Sequence, residues 1–585
     1  MHKLMRYIKG YEKQALLAPL FKMLEACFEL FVPLVIASII DTGIKNEDAA
    51  FIWTRCGLLV LLAAIGLASS LTAQWFSAKA ALGFGTALRK DLFRHIGTLS
   101  YSELDGIGTP TLVTRMTSDI NQVQNGVNLT LRLLLRSPFI VIGALIMAFS
   151  ISPKLTLLFI GVTIMVSLII WAIMRVTVPI YHEAQNGLDR VTLLTRENYV
   201  GARVVRAFAR QADELAAFVE TNDHLKKLQF AAGRISALMN PLTYVLINLA
   251  IVALLYVGSI EINVGGMASG DVIALVNYMN QILVELVKLA NLIVQISKAL
   301  ACAGRVQAVL DTKPGMTFPA KLLGEVPADK TGDAVRFDHV GLTYAGAGAP
   351  SLTDISFTAK KGQTIGVIGG TGSAKTSLVQ LLPRLYDTTA GHVYIGGVDV
   401  RDYDLEVLRN SVAMVLQKNE LFSGTIAENL RWGNKDATDA EIEEACKQAC
   451  VDEFIERFPD KYNTHIDQGG TNVSGGQKQR LCIARALLKK PRILILDDST
   501  SAVDTGTDAK IRKSFAEKIP GTTVFIIAQR ISSVENADHV IVLDNGRISG
   551  YGTPAEMLAT NPIYQEVYNS QTKGSGDFDE KGGEA

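Results

Sequence analysis

The chain has 585 residues, which is too long for one hydrophobic core at about 150 residues per domain. Its 57 basic and 57 acidic residues cancel, and this excludes a general nucleic-acid binder that needs a basic surface to neutralise phosphates. The charge is divided unevenly, because residues 1–329 carry 29 basic and 23 acidic groups (+6) and residues 330–585 carry 28 and 34 (−6). A charge-poor, basic first part followed by a charge-rich part predicts a membrane domain and then a soluble domain.

Six apolar segments in the first part approach the length of about 20 residues that crosses a bilayer. They lie at about 16–40, 56–78, 137–153, 155–178, 241–260 and 272–296. The connections after the second and fourth segments are long and basic, and the first of them includes Arg132 and Arg136. By the positive-inside rule, these connections and both termini are predicted to be cytoplasmic. Both connections are expected to be helical extensions of the spans.

Polar side chains inside two of the predicted spans allow two interpretations. Lys22, Glu25 and Glu29 share one helical face of the first span, and the sixth span carries a polar stripe of Asn277, Gln281, Glu285 and Lys288. Ionisable groups at membrane depth usually face a bundle interior or a wet cavity. The residues therefore either line a substrate pathway or form structural ion pairs, Lys22 with Glu25 and Glu285 with Lys288.

Three further segments have distinct compositions. The first residues, with Leu4, Met5 and Ile8 among lysines and an arginine, predict a short basic amphipathic helix suited to the inner membrane surface. Residues 305–332 lose apolar runs and gain three prolines, which predicts a linker between a membrane domain at 1–304 and a soluble domain at 333–568. Residues 569–585 are polar, Gly-rich and acidic, which is typical of a disordered tail.

A glycine-rich turn in the second part has the pattern of a phosphate loop. A strand at 364–368 leads into this turn, and a helix follows it; the residues are Gly369, Gly370, Thr371, Gly372, Ser373, Ala374, Lys375, Thr376 and Ser377. Such a loop aims backbone N–H groups and a helix N-terminus at phosphates, with Lys375 on the terminal phosphates and Thr376 on Mg²⁺. Ala374 stands where the pattern has Gly, and if this position needs a positive φ the β-carbon costs about 1–2 kcal/mol.

Two more patterns in this part favour nucleotide chemistry. The buried-strand pattern at 492–498 ends in Asp497 and Asp498, which suits a Mg²⁺ ligand and a neighbour that faces the attacking water. The sequence Ser474, Gly475, Gly476 and Gln477 precedes a long helix and provides another anion-binding helix terminus.

With these motifs, nearly the whole chain resembles the half-transporters of the ATP-binding cassette exporters. VSGGQ at 473–477 matches the family signature LSGGQ, Tyr344 matches the aromatic residue that stacks on adenine, Gln417 matches the Q-loop, and 501–504 matches the D-loop. Segments 88–124 and 197–205 resemble the two intracellular loops that dock on the nucleotide domains. The resemblance implies a six-helix transmembrane domain with long intracellular helical extensions, plus an α/β P-loop nucleotide-binding domain with a helical subdomain. It also implies ATP and Mg²⁺ as cofactors, with Thr376, Gln417 and Asp497 near the metal.

Three positions depart from the family pattern. Asp498 replaces the catalytic Glu, Gln529 replaces the switch His, and Gln468 replaces an acidic residue before the signature. Aspartate is one methylene shorter, and misplacement of a catalytic group by about 1 Å can cost about 100-fold in rate. Glutamine can still bond a γ-phosphate, but it cannot carry the charge of an imidazole.

These departures predict that the chain is one subunit of a heterodimeric exporter in a bacterial cytoplasmic membrane. Its own ATP site would be degenerate, and it would lend its signature to a second half-transporter subunit that has the Glu and the His. The predicted substrates are small amphipathic molecules. Two alternatives remain, namely a homodimeric exporter with slow hydrolysis and an ATP-gated channel or regulatory membrane protein.

Overall fold

The computed structural model describes residues 2–319, 322–324, 332–499 and 502–572. The chain forms two compact units, the first from residues 1–97 and 110–312 and the second from residues 98–109 and 313–585. The short segment 98–109 thus belongs with the second unit, although it interrupts the first in sequence.

The first unit is helical throughout. Within the described residues, six helical runs are long and apolar enough to cross a membrane, at Glu12–Ile44, Ala49–Ile96, Thr109–Ile151, Pro153–Val200, Gln211–Asn263 and Ser269–Asp311. Five of the predicted spans fall inside these runs, whereas the third, at 137–153, extends two residues beyond Ile151. The predicted fold class is confirmed. The helices of this unit are α1 (Glu12–Ser38), α2 (Ala49–Ile96), α4 (Thr109–Thr114), α5 (Ile120–Leu129), α6 (Arg136–Ile151), α7 (Pro153–Val200), α8 (Ala202–Ala207), α9 (Gln211–Ala237), α10 (Met239–Asn263) and α11 (Ser269–Asp311), while α3 (Tyr101–Ile107) belongs to the second unit.

Local sequence explains where the membrane helices begin. The Ser152 hydroxyl caps α7 by accepting a bond from the Leu155 amide, and Pro153 occupies the first helical turn, where its missing N–H costs nothing. The Asp48 carboxylate caps α2 in the same way through the Phe51 amide. A cap therefore starts each of these 48-residue helices, which continue well beyond the length of a single span.

Two features of this unit differ from the sequence interpretation. Residues His2–Ile8 form a 3₁₀ helix, but Leu4 is 1% exposed and the Tyr7 ring packs edge-on against Phe84 of α2. Leu4 and Tyr7 are thus buried against the protein's own helices, whereas Met5 is 50% exposed. In addition, α11 continues to Asp311, so the first residues of the predicted linker are helical.

Within its described residues, the second unit contains two large sheets and a small two-stranded one. Its strands are β1 (Asp333–Leu342), β2 (Leu352–Lys360), β3 (Thr364–Gly369), β4 (Ala390–Ile395), β5 (Val398–Asp399), β6 (Val412–Val415), β7 (Gly424–Thr425), β8 (His465–Ile466), β9 (Ile493–Asp497), β10 (Thr523–Ile527), β11 (His539–Asp544) and β12 (Arg547–Gly552). A six-stranded sheet has the order β12-β11-β3-β10-β9-β6, and a four-stranded antiparallel sheet has the order β2-β1-β4-β5. Strands β3, β6, β9, β10 and β11 are parallel, so their carboxyl ends meet at one edge, where ligands of open α/β sheets bind.

Each face of the six-stranded sheet has its own apolar core, which is covered by helices. They are α12 (Lys375–Gln380), α13 (Leu405–Ser411), α14 (Ile426–Arg431), α15 (Asp439–Gln448), α16 (Asp452–Ile455), α17 (Gly475–Leu488), α18 (Thr505–Lys518), α19 (Pro554–Thr560) and α20 (Pro562–Thr572). Leu494 and Leu496 of β9 lie in one core and Ile493 and Ile495 in the other, as the alternation of a strand requires. Helix α20 includes the start of the predicted disordered tail, and residues 573–585 lie outside the described part of the chain.

Candidate nucleotide-binding site

The phosphate loop lies between the carboxyl end of β3 and the first turn of α12. Gly372 and Ala374 both have positive φ angles, +83° and +70°. Ala374 therefore adopts the left-handed conformation that the Gly of the pattern would adopt without strain, and its β-carbon costs about 1–2 kcal/mol there. The Lys375 amine folds back and donates to the carbonyl oxygens of Gly369 and Gly370, each at 2.8 Å.

Asp497 and Thr376 form a pair suited to a divalent cation. Asp497 ends β9, is 1% exposed, and accepts a 3.0 Å bond on Oδ1 from the Thr376 hydroxyl. Its Oδ2 is buried and has no hydrogen-bond partner among the described residues. Burial raises the pKa of this carboxyl although Thr376 opposes the shift. An unpaired buried carboxylate oxygen beside a hydroxyl matches the oxygen ligands that Mg²⁺ takes in phosphate sites.

Asp498 lies beside this pair and contacts two glutamines. It has a φ of +47°, and its amide donates to the Ile527 carbonyl at 3.0 Å. The Gln529 side-chain amide donates to Asp498 Oδ2 at 3.1 Å, and Gln417 also bonds this carboxylate. Burial raises the pKa of Asp498, while the nearby Lys375 amine and the bond from Gln417 partly oppose that shift.

These groups line one cleft of about 650 Å³. Its walls include residues 371–377 of the phosphate loop, Gln417, Asp497, Asp498 and Gln529, together with residues 349–351 and 545–546, which the sequence interpretation did not select. The structure thus brings together all the phosphate-side and metal-side residues chosen from the sequence, apart from Gly369 and Gly370, whose carbonyl oxygens hold Lys375.

Tyr344 is positioned by contacts that the sequence did not reveal. Its hydroxyl bonds the Ser377 hydroxyl at 2.8 Å, and its ring packs edge-to-face on Tyr386 at 5.0 Å. The Tyr386 hydroxyl donates to Asp105 of α3 at 2.6 Å, and burial raises its pKa. The tyrosine predicted to stack on adenine is therefore in contact with a residue that bonds helix α3.

The signature residues are separate from this cleft. Ser474 caps α17 in a capping box, because its hydroxyl accepts from the Gln477 amide at 3.3 Å and the Gln477 side chain accepts from the Ser474 amide at 2.9 Å. Gly475 and Gly476 form the first turn of this helix, and the backbone of Ala502 approaches Gly476 so closely that a β-carbon there would lie 2.7 Å from the Ala502 carbonyl oxygen. Ser501 lies outside the described residues.

In the membrane unit, Arg136 changes the interpretation of the polar residues. Arg136 was counted with a cytoplasmic connection, but it lies in the first turn of α6, is 7% exposed, and bonds Glu285 and Glu29 at 2.6 Å each. Glu285 is 3% exposed and also accepts from the Ser137 hydroxyl at 2.8 Å and the Lys288 amine at 2.9 Å. An apolar pattern cannot show that Arg136 is a buried ion-pair partner, because Arg136 directly precedes the apolar stretch and its partners are distant in sequence.

The other selected residues of the membrane unit have local partners or partial exposure. Lys22 is 7% exposed and bonds Glu25 at 2.5 Å and the Ser70 hydroxyl at 3.1 Å. The Asn277 side chain donates to the Ile273 carbonyl of its own helix, and the Gln281 side-chain oxygen is buried without a partner among the described residues. Both ion pairs of the structural interpretation are therefore present, and Glu29, whose side chain is 42% exposed, is the most open carboxylate of the Arg136 group.

Comparison with known proteins places this architecture in a family. Residues 15–286 match the family model of the ABC transporter transmembrane region, and residues 352–501 match the family model described as ABC transporter. An uncharacterized ABC transporter ATP-binding protein of Mycobacterium tuberculosis is 37% identical over 97% of this chain and 98% of its own length. The chain belongs to the ABC transporters. It is therefore a multi-pass membrane half-transporter with an ATP-binding domain that couples ATP hydrolysis to transport.

Two further similarities concern the fold and the type of transporter. A fatty acid ABC transporter ATP-binding/permease protein of Mycobacterium bovis is 36% identical over 82% of this chain and 75% of its own length. The structure of a bacterial Atm1-family ABC exporter with ATP bound aligns with a TM-score of 0.81 at 22% identity, covering 97% of this chain and 99% of that one. The ABC transporter described here thus has the fold of an exporter.

Proposed function

We propose that this ABC exporter chain is the degenerate-site subunit of a heterodimer that moves small amphipathic molecules out across the cytoplasmic membrane. In this proposal both termini and the nucleotide-binding unit are cytoplasmic. The second subunit is a different half-transporter that carries the catalytic Glu and the switch His.

The contact between Asp498 and Gln529 is the observation that carries the proposal. A side-chain amide can donate to this carboxylate, as it does at 3.1 Å, but it cannot exchange a proton with it as an imidazole can. Asp498 is also one methylene shorter than Glu, and its Oδ2 is already engaged by Gln529. Both differences weaken the activation of an attacking water, because that step depends on the placement of a free carboxylate.

The remaining residues of the cleft retain the ability to bind nucleotide. Lys375 is held next to the loop carbonyls, and burial lowers the pKa of its amine although the two aspartates oppose this. Mg²⁺ would be held by Thr376, Asp497 and Gln417, and when bound it would neutralise charge on the β- and γ-phosphates. Tyr344 would stack on the adenine. The chain would therefore keep ATP bound for long periods at its own site.

The signature of this chain serves the partner's site in the proposal. Ser474 to Gln477 begin α17 with N–H groups at a helix N-terminus, which favours contact with an anion such as a γ-phosphate. Since these residues keep the family pattern, the partner's site would have a complete signature opposite a catalytic Glu, and it would account for most of the turnover.

Co-expression of the pair tests the assignment. We expect Asp498→Ala to leave most ATPase activity of the pair intact, and replacement of the partner's Glu by Gln to abolish it. The reverse result would refute the proposal. If this chain alone forms a dimer that hydrolyses ATP slowly and transports, the homodimeric exporter would be the better explanation. As a matched gain-of-function control, Asp498→Glu with Gln529→His should raise hydrolysis at this site by roughly 10–100-fold.

Glu29 is proposed as the substrate contact because its side chain is 42% exposed while Arg136 and Glu285 are buried. A partly open carboxylate can contact an amphipathic cation without losing all of its hydration. Asn277 and Gln281 lie on the same helix as Glu285, about two turns and one turn before it, and would line the same path. If Glu29→Gln leaves transport of amphipathic cations unchanged, this role is wrong.

A further inference from the structure

The C-terminal helix α20 holds the loop that carries Gln529. This switch loop, residues 528–533, leaves β10 and ends in a 3₁₀ turn at Ile531–Ser533. The Gln571 side-chain oxygen accepts from the Ile531 amide at 2.8 Å, and its NH₂ group donates to the Gln529 carbonyl oxygen at 2.8 Å. One side chain therefore binds the backbone on both sides of Arg530.

This double contact restricts the loop where the Gln529 side chain originates. The loop is also attached by a 3.3 Å bond from the Ala528 amide to the Val367 carbonyl and by burial of Ile531, which is 2% exposed. Beyond Arg530, the Arg512 guanidinium donates to the Ser532 carbonyl at 2.7 Å, and the Ser533 hydroxyl donates to Asp508 at 3.3 Å. Gln571 satisfies a donor and an acceptor that would otherwise turn to water, and its two bonds define the orientation of the peptide groups that follow Gln529.

Helix α20 is itself firmly attached to the nucleotide-binding unit. Tyr564 is 2% exposed, and its amide donates to the Asn561 side chain at 3.0 Å. Ile563 and Val567 pack against the apolar core that also contains Ile531. Apolar packing and the two Gln571 bonds thus both connect the position of α20 to that of the switch loop.

We propose that Gln571 is a positioning residue of the nucleotide site, which holds the switch loop so that Gln529 can reach the terminal phosphate of ATP. The inference rests on the proposed function, in which Gln529 contacts that phosphate. Gln571 touches no nucleotide itself and acts only through the backbone of the switch loop.

The first test is the hydrogen exchange of the full-length chain in lipid nanodiscs. We expect Gln571→Ala to increase amide exchange in a peptide that covers residues 528–533, because the Ile531 N–H loses its acceptor. Gln565→Ala is the matched control, since Gln565 lies on the same helix but donates to the Leu558 carbonyl at 2.8 Å. Equal exchange in the two variants would overturn the contact without affecting the proposed role of Gln529.

The second test compares the affinities for ATP and ADP, both with Mg²⁺, by competition against trinitrophenyl-ATP. Since Gln571 acts only through Gln529, Gln571→Ala should lower the ATP affinity by no more than the loss of one hydrogen bond to the terminal phosphate, about 5- to 10-fold, with little change for ADP, which lacks that phosphate. Gln529→Ala should give the same loss, and the two substitutions together should give no more than either alone.

Each other outcome overturns a specific part of the inference. If Gln529→Ala weakens ATP but Gln571→Ala does not, Gln571 has no positioning role and the proposed function stands. If Gln529→Ala changes nothing while exchange at 528–533 rises in Gln571→Ala, the contact exists but the proposed role of Gln529 fails. If Gln571→Ala weakens ATP and ADP equally, its effect is merely structural.

A conservative variant separates positioning from unfolding. Gln571→Glu retains the acceptor for the Ile531 amide and loses the donor to the Gln529 carbonyl. We expect exchange protection of Ile531 to persist and the preference for ATP over ADP to fall. A variant that loses both would show that α20 had detached.

Discussion

Replacing Arg136 by methionine should strongly destabilise the membrane unit. Arg136 is 7% exposed, and its guanidinium bonds Glu285 and Glu29 at 2.6 Å each. Glu285 is 3% exposed and would keep its bonds from Ser137 and Lys288 only. Removing one partner of a buried ion pair costs about 3–5 kcal/mol, because the other charge stays desolvated.

The measurement is the apparent unfolding temperature of the detergent-purified chain, followed by tryptophan fluorescence at one heating rate. A loss of this size should lower it by roughly 5–15 °C. Glu29→Gln is the matched control, and since the Glu29 side chain is 42% exposed it should lose about 1 kcal/mol or less. Replacing Arg136 and Glu285 together by methionine should recover most of the stability, because no buried charge then remains without its partner.

One result would refute this reasoning. If Arg136→Met lowers the unfolding temperature no more than Glu29→Gln does, the guanidinium is hydrated and the group is not a desolvated ion pair. Its residues would then be better explained as the lining of a wet pathway. If Arg136→Met lowers the unfolding temperature as expected, and Glu29→Gln reduces transport without changing stability, both the structural role of Arg136 and the substrate role of Glu29 hold.

Three further predictions concern the nucleotide-binding unit. Tyr386→Phe keeps the ring against Tyr344 but removes the bond to Asp105 of α3, so transport per ATP hydrolysed should fall about twofold or more in reconstituted vesicles. Glu103 is partly buried, but bonds from Ser100 and from the Gly315 amide outweigh that burial and lower its pKa. Because a lowered pKa stabilises the fold above the unfolded-state pKa, Glu103→Gln should cost about 1 kcal/mol of folding free energy at pH 7. This cost should disappear once the pH falls below the pKa of Glu103 in the folded state. Burial raises the pKa of Cys446 to about 12, so maleimide at pH 8 should modify it only after denaturant is added, and labelling of the native protein at this cysteine would contradict its buried position.

Much of the fold followed from local patterns. Six apolar runs and one strand–loop–helix motif are short-range signals, and each corresponds to an element of the structure, although the membrane helices extend well beyond the apolar runs. The phosphate-loop pattern also indicated where its backbone would be strained, since Ala374 has the positive φ that the Gly of the pattern would have. Such features depend on neighbours in sequence, so the sequence alone was sufficient.

The features that could not be predicted from the sequence depend on residues far apart in the chain. Arg136 pairs with carboxylates 107 and 149 positions away, and its position at the edge of an apolar stretch suggested a loop. The N-terminal segment has an amphipathic pattern that a bilayer or another helix could satisfy equally, and the structure buries Leu4 and Tyr7 against helices. Gln571 carried no signal at all, because an exposed glutamine near a chain end is unremarkable by composition.

Helix α3 also matters for how the ATPase should be isolated. A fragment that starts at residue 333 would lack α3 and the segment 313–319, so Tyr386 would lose its Asp105 acceptor. Arg384, which is fully buried, would lose the Thr317 carbonyl that its guanidinium binds at 2.7 Å. Both residues belong to the loop whose Tyr386 ring supports Tyr344. Nucleotide affinities measured on such a fragment would therefore report on a Tyr344 whose supporting contacts differ from those in the intact transporter.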